Sequence, residues 1–286
     1  MTGGAAIPCA LAASIVVAPA PARRAARVWA LLFCALCVAA AGCRRPSKKA
    51  EPLKVAAAAD LGRAFEDLGR GFEKATGEGV AFTFGSTGLL SQQIEQGAPF
   101  DVFAAANVSY VDGLIQKGYA APETRALYAR GRIVIWWPKG SLAAPPAALG
   151  DLRDARFVRV AIANPEHAPY GQAAEQALTR AGLREALGPR LVYGENVQQA
   201  MQFAATGNAE VALIALSLAV GSAGDYVVID QALHDPIDQA LAVCARAPHP
   251  ALGRAFVAYV TGAEGRATMR RHGFLLPGEG PAEASP

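Results

Sequence analysis

Short apolar runs alternate with helix-spaced runs along this chain, and that alternation limits the folds open to it. Residues 53–59, LKVAAAA, are short and apolar and end at Asp60, as a buried strand does. Residues 61–77 then place Leu61, Phe65, Leu68 and Phe72 at helical spacing and stop at Gly77. The pattern returns as VAFTF (80–84) before LLSQQIEQG (89–97), and as DVFAAA (101–106) before YVDGLIQKG (110–118). A second series follows the strand run 131–141 and the Pro/Ala linker LAAPPAALG. It comprises strands at 158–164, 191–194 and 211–216, with helices at 172–182 and 197–207 between them. Residues 226–230 and 239–245 read as the last strands, and 253–273 as a helix in two pieces. Strand–helix alternation of this kind gives an α/β layer structure with mainly parallel sheets. No short repeat of fixed period occurs, which excludes a solenoid.

The N-terminus does not belong to this pattern. Arg23, Arg24 and Arg27 precede the apolar run 28–41, which ends in Ala41-Gly42-Cys43. Basic residues, a short apolar run and small residues before a cut are the marks of a secretory signal, predicted over 1–42. Residues 1–22, uncharged and ahead of the basic cluster, lie upstream of an ordinary signal and are consistent with a mis-assigned start. The pattern Ala40-Ala41-Gly42-Cys43 resembles a bacterial lipoprotein signal, in which Cys43 is acylated, although Ala40 stands where Leu is usual. Residues 43–52, charged and with two prolines, read as a tether to the lipid. The predicted location is periplasmic or extracytoplasmic, anchored to the membrane through Cys43.

Two consequences follow from removing that segment. Of the five cysteines, Cys9, Cys34, Cys37 and Cys43 lie in or at the edge of it, so only Cys244 lies in the body and no disulfide framework is expected. The formal net charge of +3 equals the three arginines of the signal, leaving a neutral body. A neutral body argues against nucleic acid as a partner.

Three strand-to-helix junctions carry similar chemistry: Ala58-Ala59-Asp60, Gly85-Ser86-Thr87-Gly88 and Gly194-Glu195-Asn196-Val197. In parallel α/β sheets such junctions gather at the carboxyl ends of the strands, where ligands bind. Each helix start offers unpaired N–H groups and the positive end of a dipole, which suits an anion. Ser, Thr and Asp are also the ordinary N-caps, so a single junction would indicate a cap and nothing more. Trp136-Trp137 reads as packing beside the long strand, Cys244 as a small buried hydrophobe, and His167, His234, His249 and His272 lack metal-ligand spacing. No metal ligands and no cofactor are predicted.

VAAAADLGRAFEDLGRGFEKATG, FGSTGLLSQQIEQGAPFDVFAAAN, ANPEHAPYGQAAEQAL and GENVQQAMQFAATGNAEVALIALS occur in that order. In this order they resemble the successive signatures of the molybdate-binding proteins of ABC transporters, through essentially all of 53–274. The resemblance implies the two-lobed periplasmic binding protein fold (class II), each lobe a mainly parallel sheet flanked by helices. Lobe one would be 53–130 plus 237–286 and lobe two 131–236, with two crossover strands near Gly131 and Pro236–Ala240 as hinge. It implies a monomer that binds molybdate or tungstate, contacts a permease and has no catalytic step. Carried over by position, the oxyanion would meet Ala59 and Asp60, Ser86 and Thr87, a loop Pro169-Tyr170-Gly171, and the backbone N–H of Val197. Thr87 is the better match to the family's binding serine. The protein would touch the oxygens and never the molybdenum.

Asp60 departs from that pattern, because many members place a serine donor there. It reads either as the N-cap of the helix beginning at Leu61, or as an acceptor for a protonated oxyanion such as phosphate or a phosphonate. IALS (214–217) departs too, lacking a tyrosine that some members have near Ala215. A two-lobed enzyme on this fold would need a general base, for which Asp60, Glu195 and His167 are the candidates. A sensor subunit that reports ligand without transport is a further reading.

Overall fold

The computed structural model describes residues 51–279. The predicted signal, Cys43 and all but the last two residues of the tether lie outside them. In chain order the elements are β1 (Leu53–Ala58), a 3-10 turn (Ala59–Leu61), α1 (Gly62–Thr76), β2 (Val80–Gly85), α2 (Thr87–Glu95), β3 (Val102–Ala105) and α3 (Val108–Gln116). Then come β4 (Ala126–Gly131), β5 (Ile133–Pro138), β6 (Val160–Ala163), α4 (Pro169–Arg180), the short α5 (Arg184–Leu187), β7 (Leu191–Gly194) and α6 (Val197–Ala205). The chain ends with β8 (Val211–Ala215), the single turn α7 (Leu216–Ala219), β9 (Gly224–Val228), β10 (Ile237–Val243), α8 (Pro250–Thr261) and α9 (Ala263–Arg271).

Two five-stranded sheets result, in the orders β2-β1-β3-β10-β4 and β7-β6-β8-β5-β9. The parallel pairing expected from sequence holds where strand–helix units lie side by side: β1 with β2 and β3, and β6 with β7 and β8. The other half of each sheet is antiparallel, through β10 in the first and β5 in the second. Each sheet is therefore mixed. The chain leaves the first sheet at Gly131, enters the second at Ile133, and returns between Val228 and Ile237. Strand β4, which pairs Gly131 with Ile237, is not among the strands expected from the sequence.

Local chemistry explains why these segments settle as they do. Helix α1 buries Phe65, Leu68 and Phe72 and ends where Gly77 takes φ +80°, its N–H bonded to the Glu73 carbonyl at 2.7 Å. Its phenyl rings meet Phe256 of α8 edge-on, at 6.1 Å for Phe65 and 5.3 Å for Phe72. Burying each such ring contributes about 1.5–3 kcal/mol. Strands β1 and β3 end in alanines, Ala56–Ala58 and Ala104–Ala105, all buried. Small side chains there bring neighbouring backbone close to the space beyond the strand ends. Trp136 and Trp137 are buried on β5, with Trp136 Nε1 donating to Ser222 Oγ at 2.9 Å, so they pack the second half as expected. Cys244 is buried, and burial pushes its thiol up to about 12.

Candidate functional site

Beyond the carboxyl ends of the parallel strands, where the two halves face each other, lies a cavity of ≈ 10 Å³. Its wall includes Ala59, Asp60, Thr87, Tyr170 and Val197, five of the six positions named from sequence, together with Ala58, Gly85, Ala106, Ala168, Pro169 and Asn196. That space is of the order a single water needs. A tetrahedral oxyanion entering it must touch both halves at once.

Three helix starts and the 3-10 turn Ala59–Leu61 meet here. At α2, Ser86 occupies the N-cap position with extended backbone, and its carbonyl accepts the first helical bond from Leu90 N at 3.0 Å. Its hydroxyl does not cap the helix. It donates to the His167 carbonyl at 2.7 Å and lies 2.8 Å from His167 Nδ1, on the other half. Ser86 is thus a tie across the cleft and is not part of the cavity wall. His167, read from sequence as an ordinary loop residue, is the partner of that tie. Thr87 is the first helical residue and 1% exposed, and its Oγ1 accepts from Ala106 N at 3.2 Å. That bond uses a lone pair and leaves the hydroxyl proton to be donated.

On the other half, α6 begins after Asn196, whose side chain accepts from Gln198 N and Gln199 N, both at 3.0 Å. The cap covers the second and third N–H groups, so the first, on Val197, is the one left for the cavity. Helix α4 starts at Pro169, three residues earlier than its sequence period shows. The expected loop Pro169-Tyr170-Gly171 is therefore the first turn of a helix. Proline has no N–H to satisfy there, and its fixed φ suits that position. Gly171 passes so close to β6 that a Cβ would lie 2.2 Å from the Ala163 carbonyl oxygen, so no larger residue fits.

Asp60 corrects the sequence reading. It does not cap the helix: α1 has Leu61 at its N-cap and no side-chain cap bond. Instead Asp60 is 1% exposed and its Oδ2 accepts from Gln239 Nε2 at 2.6 Å. Gln239 also donates to the Tyr170 hydroxyl at 3.2 Å, and its Oε1 accepts from the Tyr128 hydroxyl at 2.8 Å. Burial raises the Asp60 carboxyl to about 6, with the Gln239 amide and the neighbouring Tyr170 hydroxyl pulling the other way. Burial, reinforced by the nearby Asp60 charge, holds both tyrosine hydroxyls well above their ordinary range. The Asp60 carbonyl accepts from Ser217 Oγ at 2.8 Å, a second tie between the halves.

Gln239 and Tyr128 were not singled out from sequence. The available signal was a glutamine inside an otherwise apolar strand run. Gly131 makes room for this network, because a Cβ there would lie 2.1 Å from the Tyr170 hydroxyl. Gly88 likewise approaches across the cleft, its N–H donating to the His167 carbonyl at 2.9 Å. Among the described residues no group of acidic, histidine and cysteine side chains could hold a metal ion, and no helix is long and apolar enough to cross a membrane.

Comparison with known proteins gives a consistent picture. The family model described as bacterial extracellular solute-binding protein matches residues 53–275. The molybdate-binding protein ModA of Azotobacter vinelandii is 36% identical over 242 residues, 82% of this chain and 94% of its own. Its counterpart in Rhodobacter capsulatus is 34% identical over 224 residues, 77% of this chain and 86% of its own. The solved periplasmic molybdate-binding protein of A. vinelandii matches with TM-score 0.73 and 30% identity, over 79% of this chain and 99% of that one.

Proposed function

The chain belongs to the bacterial extracellular solute-binding proteins, in the group of the molybdate-binding proteins, and we propose that it captures molybdate and hands it to an ABC importer permease. Tungstate, with the same shape and charge, is proposed as a second ligand. The family binds solutes and is not a family of enzymes. The observation that carries the reading is the cavity at which first-turn N–H groups and the Thr87 hydroxyl meet from both halves. Such donors are neutral and fixed by the backbone, so they select a fully ionised anion without needing a cation.

Residues Ala59, Asp60, Thr87, Tyr170 and Val197 are the proposed contacts, with Ser86 acting one step away as a tie to His167. The proposed lobes are 53–130 plus 237–286 and 131–236, closing about the crossovers near Gly131 and Pro236–Ala240 like a hinge. The anion then favours the closed form because only that form offers both sets of donors. We further propose that the mature protein is a monomer outside the cytoplasm, held to the membrane through acylated Cys43.

One observation favours a second reading, a different oxyanion: a buried carboxyl in the cavity wall would accept a proton from hydrogen phosphate or a phosphonate. Calorimetric titration of the purified protein with molybdate, tungstate, sulfate and phosphate decides between them. Tight molybdate and tungstate binding with little phosphate heat is expected. Tight phosphate binding with no molybdate heat would overturn the proposal.

A further inference from the structure

Asp60 lines the cavity, yet the fold uses only one of its carboxyl oxygens. Oδ2 accepts from Gln239, whereas Oδ1 is buried with no hydrogen-bond partner. The groups around it bring no compensating positive charge. Tyr170 of α4 and Tyr128 of β4 are its titratable neighbours. Gln239 of β10, Ser217 of α7, Thr87 of α2 and Asn196 of α6 are neutral. Arg63 of α1 is turned to the carbonyls of Val220 and Gly221, and His167 is held at Ser86. An ionised Asp60 would therefore be a pure acceptor set against a dianion at contact distance in a buried site, and like charges so placed do not both persist.

Resting on the molybdate reading, we propose that Asp60 meets the anion as the neutral acid, donating Oδ1–H to an anion oxygen, so that capture takes up one proton. The balance is simple: carboxylate, dianion and one solvent proton give a complex of the carboxylic acid with the dianion. No bond to the metal forms. Burial already raises this carboxyl to about 6, so the free site keeps its proton only below that value and takes one up with the anion above it. Asp60 thereby becomes a donor of the kind the rest of the wall supplies, and it ties affinity to pH. Above the titration of the free carboxyl, affinity falls about tenfold per unit of pH, and below it affinity is level.

The experiment is calorimetric titration of the purified protein with sodium molybdate, in buffers of differing ionisation enthalpy, from about pH 6 to about pH 8.5. About one proton taken up per anion at the alkaline end is the expected result for the unaltered protein, which needs no variant to be informative. Asp60→Asn keeps an acceptor for Gln239 and offers an amide N–H to the anion. It is expected to bind molybdate with no proton uptake and a flat pH profile. Molybdate binding without proton uptake in the unaltered protein, or an unchanged slope in Asp60→Asn, would overturn the inference while leaving the proposed function standing. Absence of molybdate binding at every pH would remove the functional reading itself.

Discussion

Thr87 and Asp60 are the two side chains on which the site turns, and they differ in what they can give. Thr87 accepts from Ala106 N and keeps its proton to donate. Thr87→Val fills the same volume with no hydroxyl, so it removes the donor and also leaves the buried Ala106 N–H unpaired. We expect molybdate affinity to fall by about 10- to 100-fold, as for a hydrogen bond to a charged group, and stability to drop by about 1–3 kcal/mol. Calorimetry and thermal unfolding read the two effects separately. Asp60 gives a pH signature even without ligand. Its carboxyl is raised from 3.8 to about 6 on folding, so the unfolded chain loses that proton first. The contribution of the neutral acid is fully present below the unfolded value and is lost as pH rises through about 6. The melting temperature of Asp60→Asn relative to the unaltered protein should therefore rise between about pH 4 and pH 6 and then level off. A constant difference over that window would contradict the burial account.

At the scale of elements, the glycine at the end of β4 matters more than its size suggests. Gly131→Ala puts a methyl group where the Tyr170 hydroxyl lies, so the second half cannot seat against β4 and β10. Weakened molybdate binding with unchanged far-ultraviolet circular dichroism is expected, because the clash arises only on closure. Much of this layer was legible in the sequence. The apolar runs of β1, β3, β6 and β8 and the phenylalanine stripe of α1 announce themselves by period and burial. The helix starts were less legible. Helices α2 and α4 begin two or three residues before their apolar period does, because first turns here are made of Thr, Gly, Pro and Tyr that serve the cavity. Strand β4 escaped because RALYARG mixes arginines with its buried Tyr128. The glutamine of β10 escaped for a different reason. Nothing local says that Gln239 joins Asp60 to Tyr170, since those partners lie far apart in the chain. The Asp60 cap was a fair local expectation that a long-range bond overrides.

The whole molecule joins two mixed sheets that present the same ends of their parallel strands to one another. Direct bonds already clasp the halves: Ser86 and Gly88 to His167, Ser217 to Asp60, and Gln239 to Tyr170. An anion held among Thr87, Asp60, Tyr170 and Val197 would accept from both sides and so add to that clasp. Solute size is limited by the same geometry, since little room remains once the halves meet. The central claim is that molybdate sits in this cavity, and diffraction at the molybdenum absorption edge from crystals grown with molybdate tests it most directly. One anomalous peak within the wall formed by Thr87, Asp60, Tyr170 and Val197 is the predicted result. A cavity without a peak, or molybdenum bound only elsewhere on the molecule, would contradict it.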